Sequence, residues 1–135
     1  MANREIGSLF KAEVATAAGT INTDTTTAGG LIDMQGYDSL TFLIHTATFT
    51  AGTITPAIVD GDTTSPTDAV DDAELSVTEA SVAFTTAAAD DNAVKKISYL
   101  GKKRYVKCNL VSASSANAVI GVIAIKGKAG IAPVA

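Results

Sequence analysis

The residues able to carry chemistry are few. The 135-residue chain has one histidine, His45, and one cysteine, Cys108. Zinc needs several Cys or His ligands, so no structural zinc site can be built within one chain. No Ser-His-Asp or Cys-His motif surrounds His45, and Cys108 falls on a separate strand-like run, so a nucleophilic triad is not expected. A third grouping is acidic: Asp60, Asp62, Asp68, Asp71, Asp72 and Glu74, of the hard-oxygen type that suits calcium. Its spacing is wrong for a calcium loop, because Asp60-Gly61-Asp62-Thr63-Thr64 puts glycine second and has no ligand at the fifth position. The same carboxylates do not read as a glycosidase pair either, since 5% aromatic content and no Trp leave little platform for a sugar. Neither Gly29-Gly30 nor the Gly127 to Gly130 stretch fits a phosphate-binding fingerprint. Lys102-Lys103-Arg104 reads as a charged turn. No catalytic residue, metal or cofactor is expected, and the chain does not read as an enzyme.

The elements that would position these residues are β-strands. At 13.7 kDa the chain makes one domain, large enough to bury a core without disulfides. It is 47% hydrophobic, but 24 Ala and 18 Thr make that apolar mass small, and 18% charge argues against disorder over most of the length. No apolar pattern at helical spacing lasts three turns. Residues 2–15 come closest, with Ile6, Leu9, Phe10, Glu13 and Val14, and read as an extended arm or one short helix. Period-2 alternation predicts strands over 40–46 and 104–111, with others over 20–23, 31–34, 53–59, 82–86, 94–100 and 118–126. About eight short strands imply an all-β fold, an antiparallel sandwich or barrel-like domain. The spacing divides the chain into an N-terminal arm (1–18), a β domain (19–127) and an extended tail (128–135).

Three strand expectations are specific. Ala118 to Ile125 is apolar on both faces and should be a central strand covered on both sides. Pro56 lacks a ladder donor and should lie at an edge or bulge. Residues 94–126 read as a meander turning at 101–103 and 112–117, while Asp60 to Glu79 is a long acidic loop with a helical turn around 67–75. Cys108 reads as a small buried hydrophobe.

Charge is partitioned. Residues 12–94 hold thirteen carboxylates and no Lys or Arg, whereas 95–135 hold eight basic residues and no carboxylate, within a net charge of −4. Either the two halves neutralise each other inside one fold, or they sit on separate surfaces and set the register of an assembly. The first is favoured. Nucleic acid is not expected as a partner, given the acidic balance and few aromatics near the basic run. The N-terminal residues do not form a signal peptide, so cytoplasmic synthesis is expected, and the longest apolar stretch is far below the ~20 residues of a membrane helix.

The order of Tyr37-Asp38-Ser39-Leu40-Thr41-Phe42, Ile58-Val59-Asp60-Gly61-Asp62, Asp71-Asp72-Ala73-Glu74-Leu75 and Tyr99-Leu100-Gly101-Lys102-Lys103-Arg104-Tyr105-Val106-Lys107, then a hydrophobic last strand, resembles small virion proteins of tailed phages and prophages. The likeness covers about residues 30–127. It implies a head-associated structural protein, most plausibly a decoration or cement protein on the outer capsid surface of a virion. It further implies a homotrimer, with the major capsid protein as partner and no catalytic residues. A tail-tube, neck or other minor virion subunit is the first alternative, and a receptor- or carbohydrate-binding β-sandwich the second. The expected capsid-docking residues are Ile6, Leu9, Phe10 and Val14. The expected inter-subunit charge contacts are Lys102, Lys103, Arg104, Asp71 and Asp72.

Overall fold

Alternation of buried and exposed side chains runs through two 23-residue segments, and these two strands organise the whole molecule. The computed structural model describes residues 7–127. Its strands are β1 (Phe10–Ile21), β2 (Thr26–Thr27), β3 (Ile32–Asp33), β4 (Ser39–Gly61), β5 (Asp68–Ala69), β6 (Val94–Tyr99) and β7 (Tyr105–Gly127). One short helix, α1 (Ala87–Asp90), and three 3-10 turns complete it. The fold is all-β. β4 and β7 pair antiparallel along their full lengths, from Ser39↔Gly127 to Gly61↔Tyr105.

This ribbon is doubled over. Register slips at Thr46/Thr48, Phe49/Ala51 and Ala51/Thr53 bend it, and Ser114, Ser115 and Gly52 all take positive φ there. Serine rarely adopts that conformation. Here the Asp24 carboxylate accepts from the Ser115 and Ala116 amides at 3.0 and 3.1 Å, which satisfies two donors left over by the bend and lowers the Asp24 pKa. The ends of the ribbon then meet. Tyr99, opposite Leu40 at one end of β4, donates its hydroxyl to Asp60 at the other end, at 2.6 Å. Both groups are buried, and burial with the neighbouring carboxylate raises the Tyr99 pKa. Lys126 Nζ closes a second side by donating to the Asp33 carbonyl at 3.0 Å.

The two halves of the ribbon thus form the two layers of a sandwich that does not close into a barrel. One layer is β1, the second half of β7, the first half of β4, and β6; the other is β2 and β3, the first half of β7, the second half of β4, and β5. Between them lies a single core that includes Leu40, Phe42, Ile44, Ile54, Ile58, Phe84, Ile97, Val106, Leu110, Ile120 and Val122. Each such side chain contributes about 1.5–3 kcal/mol by burial.

Four expectations need correcting. The Phe10–Ile21 stretch is neither arm nor helix but a strand paired with β7, from Phe10↔Gly127 to Ile21↔Ala118, so it crosses the boundary drawn at 18/19. Pairing with β7 outweighs a helical spacing that Gly7 already weakened. Residues 94–127 are not a meander: β6 pairs with β4, and 112–117 is the bend of one continuous strand, not a turn between two. Residues 82–86 make only a single bridge, Phe84↔Ile54. The acidic segment does hold a helical turn within 67–75, the 3-10 turn Asp72–Glu74, but it is not a free loop: it also carries β5 and is laced to the domain through Leu75↔Tyr99 and the Ser76 amide on the Ser98 carbonyl. Pro56 does lie where no donor is needed. The amides of Ile54 and Ile58 on either side of it point away from β7, to the Phe84 carbonyl and the Glu79 carboxylate, along a flank with no continuous strand.

Candidate functional site

The two outer faces of the sandwich differ in chemistry. The outer face of the β2/β3 layer presents Tyr105, Lys107, Asn109, Thr55 and Thr53, with Ala57, Val59 and the 39% exposed Val111 among them. The outer face of the β1 layer is built of cross-strand rows read from the register: Ala12, Ile125, Thr41 and Ser98; then Val14, Ile123, Leu43 and Lys96; then Gly121, His45 and Val94. Val14 is 66% exposed, Val94 61% and Ile123 44%. The centre of this face carries no Lys, Arg, Asp or Glu side chain, with Lys96 at its rim.

A groove of about 220 Å³ runs beside the Val14–Ile123 row. Gly121 forms its floor, and Ala18, His45, Ala47 and Val119 its sides. Glycine suits the floor: a Cβ at 121 would stand 3.0 Å from Ala18 Cα, a tight approach that the bulged β1 would have to relieve by a small shift. Thr16 Oγ1, in the wall, is the one buried side-chain polar atom without a hydrogen-bond partner among the described residues. The strand 118–125 is therefore central, between β1 and β4, and among the described residues the cover lies on its inner side.

The residues singled out for chemistry serve structure. Cys108 is fully buried, and burial pushes its thiol up to about 12, so it is not a nucleophile at neutral pH. Among the described residues no three His, Cys, Asp or Glu side chains converge as metal ligands. The acidic cluster is spread along the edge of the second layer, with Asp60 committed to Tyr99 and Asp62 to Lys103 Nζ at 2.9 Å.

Of the expected docking residues, Ile6 lies outside the described residues. Leu9 is 47% exposed in the 3-10 turn Gly7–Leu9, Phe10 is half-buried at the start of β1, and Val14 points onto the apolar face. Among the expected inter-subunit charges, Lys103 pairs with Asp62 and Arg104 with Asp33, whereas Lys102, Asp71 and Asp72 are exposed and form no ion pair among the described residues. Every ion pair described joins a residue of 12–94 to one of 95–135: Glu13–Lys126, Asp33–Arg104, Asp62–Lys103 and Asp90–Lys95. These pairs answer much of the charge partition inside the fold.

Arg104 grips Asp33 with two nitrogens, at 2.9 and 3.0 Å, and also reaches Gln35. That guanidinium, helped by the Gln35 amide, holds the Asp33 carboxyl at about 2, below its usual 3.8. A folded value below the unfolded one means that the pair stabilises above about pH 4 and that its contribution disappears as pH falls through about 2. Both side chains are nearly half exposed, so that contribution is small. In Arg104→Gln, carbon-13 NMR should show the Asp33 midpoint rising toward 3.8. An unmoved midpoint would mean that Arg104 is not the cause.

No family model and no curated protein matches this chain. Several solved structures are similar to it. The crystal structure of PBSX exported protein XepA has a TM-score of 0.52 at 14% identity, covering 93% of this chain and 39% of that one. This chain thus spans well under half of XepA. A subunit from the Bacillus endospore appendages described as disulfide-linked pili gives 0.49 at 11% identity, covering 88% of each chain. SPBc2 prophage-derived protein YomS gives 0.40 at 16% identity, covering 87% of this chain and 91% of that one. At such identities the likeness to XepA is one of fold.

Proposed function

We propose that this chain is a non-enzymatic structural subunit of a tailed-phage particle, acting as a decoration or cement protein on the outer surface of the capsid. In this reading it works as a homotrimer, its partner is the major capsid protein, and its place is the outer shell of the virion. The observation that carries the reading is the exposed apolar face on a scaffold whose ionisable side chains are largely engaged in holding the fold together. Such a surface suits adhesion and not turnover. The sequence resemblance to phage head proteins and a fold held in common with a PBSX exported protein support the same class.

Docking falls to Ile6, Leu9 and Phe10, of which Leu9 and Phe10 stand at the end of the sheet where Phe10, Gly127 and Ser39 lie side by side. Burial of one such side chain is worth about 1.5–3 kcal/mol, and three copies engaging together multiply the effect. Leu9→Asp should therefore lower capsid occupancy, measured by cosedimentation with phage heads, by at least about tenfold at limiting protein. Removing residues 2–15 would be the wrong test, because it deletes half of β1. Unchanged occupancy in Leu9→Asp would refute the docking element. Electron cryomicroscopy of the particle tests the location: density on the outer capsid lattice supports decoration, and density confined to tail or neck overturns it.

A further inference from the structure

We infer that β1 is a hinged strap: it opens from β7 as one unit, about an anchor at Asp24 and Thr25, while the rest of the sandwich stays folded. This holds whether or not the chain decorates a capsid. If it does, the docking residues Leu9 and Phe10 ride on a movable element.

β1 is thinly attached for its length. Of its twelve residues only Ala15 and Ile21 are buried, whereas β4 and β7 bury every second side chain over most of their length. Its ladder is single, because β7 pairs with it on one side and no described strand pairs with its other edge. The ladder is also interrupted, with register shifts between Val14 and Thr16 and between Thr16 and Gly19, and each shift leaves a residue of β1 unpaired. A segment with few buried apolar contacts opens at a lower free energy than the core strands do.

The two ends of β1 are held differently. At its start Phe10 lies opposite Gly127, the last residue of β7, so opening begins at an end of the ladder and runs inward one pair at a time. Beyond its far end the chain is pinned: the Thr25 amide donates to Ser112 Oγ, the Thr25 carbonyl accepts from the Ser112 amide, and the Asp24 carboxylate holds the Ser115 and Ala116 amides. An opening that starts at Phe10 therefore stops before Asp24. Besides the ladder, Glu13 meets Lys126 Nζ at 3.5 Å and the Ala15 carbonyl accepts from the Gly30 amide. Lifting the strap bares the edge of β7 over 118–127, a row of backbone donors and acceptors on a strand that keeps its pairing with β4. At ~3.3 Å per residue, the lifted residues 7–21 can span roughly 50 Å.

Native-state hydrogen exchange of the full chain, followed by NMR at low urea concentrations, tests this without any phage particle. Amides bonded across the β1–β7 ladder are compared with amides bonded across β4–β7, so that the solvent-facing edge of β1 does not enter. The first set should exchange at least about 100-fold faster and share one opening with a small urea dependence, while the second exchanges through global unfolding. Equal protection of the two sets, with the same urea dependence, would overturn the inference. So would β1 amides that open one by one with no urea dependence, which is fraying and not a strap. Ala12→Cys with Ile125→Cys gives a second reading, since these residues face each other across the ladder and opposed strand positions lie within disulfide reach. Oxidation should narrow the gap between the two sets by at least about tenfold, and reduction should restore it, the buried Cys108 taking no part. A gap unmoved by the cross-link overturns opening from the Phe10 end. Should the double variant misfold, the wild-type exchange decides alone.

Discussion

Gly52→Ala is expected to remove about 2–5 kcal/mol of stability, a large share of the 5–15 kcal/mol that a domain of this size possesses. Gly52 has φ +80°, where an L-residue with a side chain costs about 1–2 kcal/mol. A Cβ there would also stand 2.4 Å from Ala116 Cα, 2.6 Å from Ala116 N and 2.7 Å from the Ala113 carbonyl oxygen. All three are backbone atoms of the partner strand at the bend, so no side-chain rotation relieves the contact, and overpacking of this kind costs about 1–3 kcal/mol more. Gly36→Ala is the control. Its φ is +87°, yet nothing lies within 4 Å of its Cβ position, so it should lose only the conformational part. Urea unfolding of both variants separates the two contributions. Equal losses would show that the bend is not sterically closed at Gly52.

Asp90→Ala is expected to cost about 3–5 kcal/mol, the usual consequence of stripping one partner from a buried ion pair. Asp90 is 5% exposed. One carboxylate oxygen accepts from the Thr85 and Thr86 amides at 2.6 and 2.9 Å, and the other meets Lys95 Nζ at 2.9 Å. Lys95 in turn donates to the Ala83 carbonyl and stands over the Phe84 ring at 4.6 Å, so the network clamps α1 and Phe84 against β6. The Thr46 hydroxyl adds a hydrogen bond to the Asp90 carbonyl. Burial alone would raise the Asp90 pKa, but the Thr86 amide, Lys95 and the Thr85 amide outweigh it and hold the group below its usual 3.8. With the folded value below the unfolded one, the stabilisation is complete above about pH 4 and is lost as pH falls through the lowered value. The gap in thermal stability between wild type and Asp90→Ala should therefore be widest above about pH 4 and narrow as pH falls through the lowered value. A gap that stays constant with pH would place the cost in packing and not in the charge.

Much of the fold was legible in the residues. Alternation in 40–46 and 104–111 marks β segments because side-chain direction has period two in any strand, whatever its neighbours, and the two-sided apolar run 118–125 marks a central one. The small, Thr-rich composition and the absence of paired ligands around His45 and Cys108 likewise speak for themselves. The partition of charge is visible in the chain, and Asp33–Arg104, Asp62–Lys103 and Asp90–Lys95 show where part of it is resolved, at separations that no spacing rule foretells.

Other features exist only once distant segments meet. Whether 112–117 is a turn or a bend depends on whether β4 lies alongside: Thr53 and Ala51 pair with Ala113 and Asn117 across the bend, and the distant Asp24 supplies acceptors to the Ser115 and Ala116 amides. Phe10–Ile21 is a strand because β7 offers it an edge; local spacing alone favoured a helix as much. The apolar face has the same origin. Hydrophobic residues on both sides of 118–125 are plain in the sequence, but which side faces the core is set by the doubling of the ribbon, and burial is a property of what a side chain packs against and not of the residue itself.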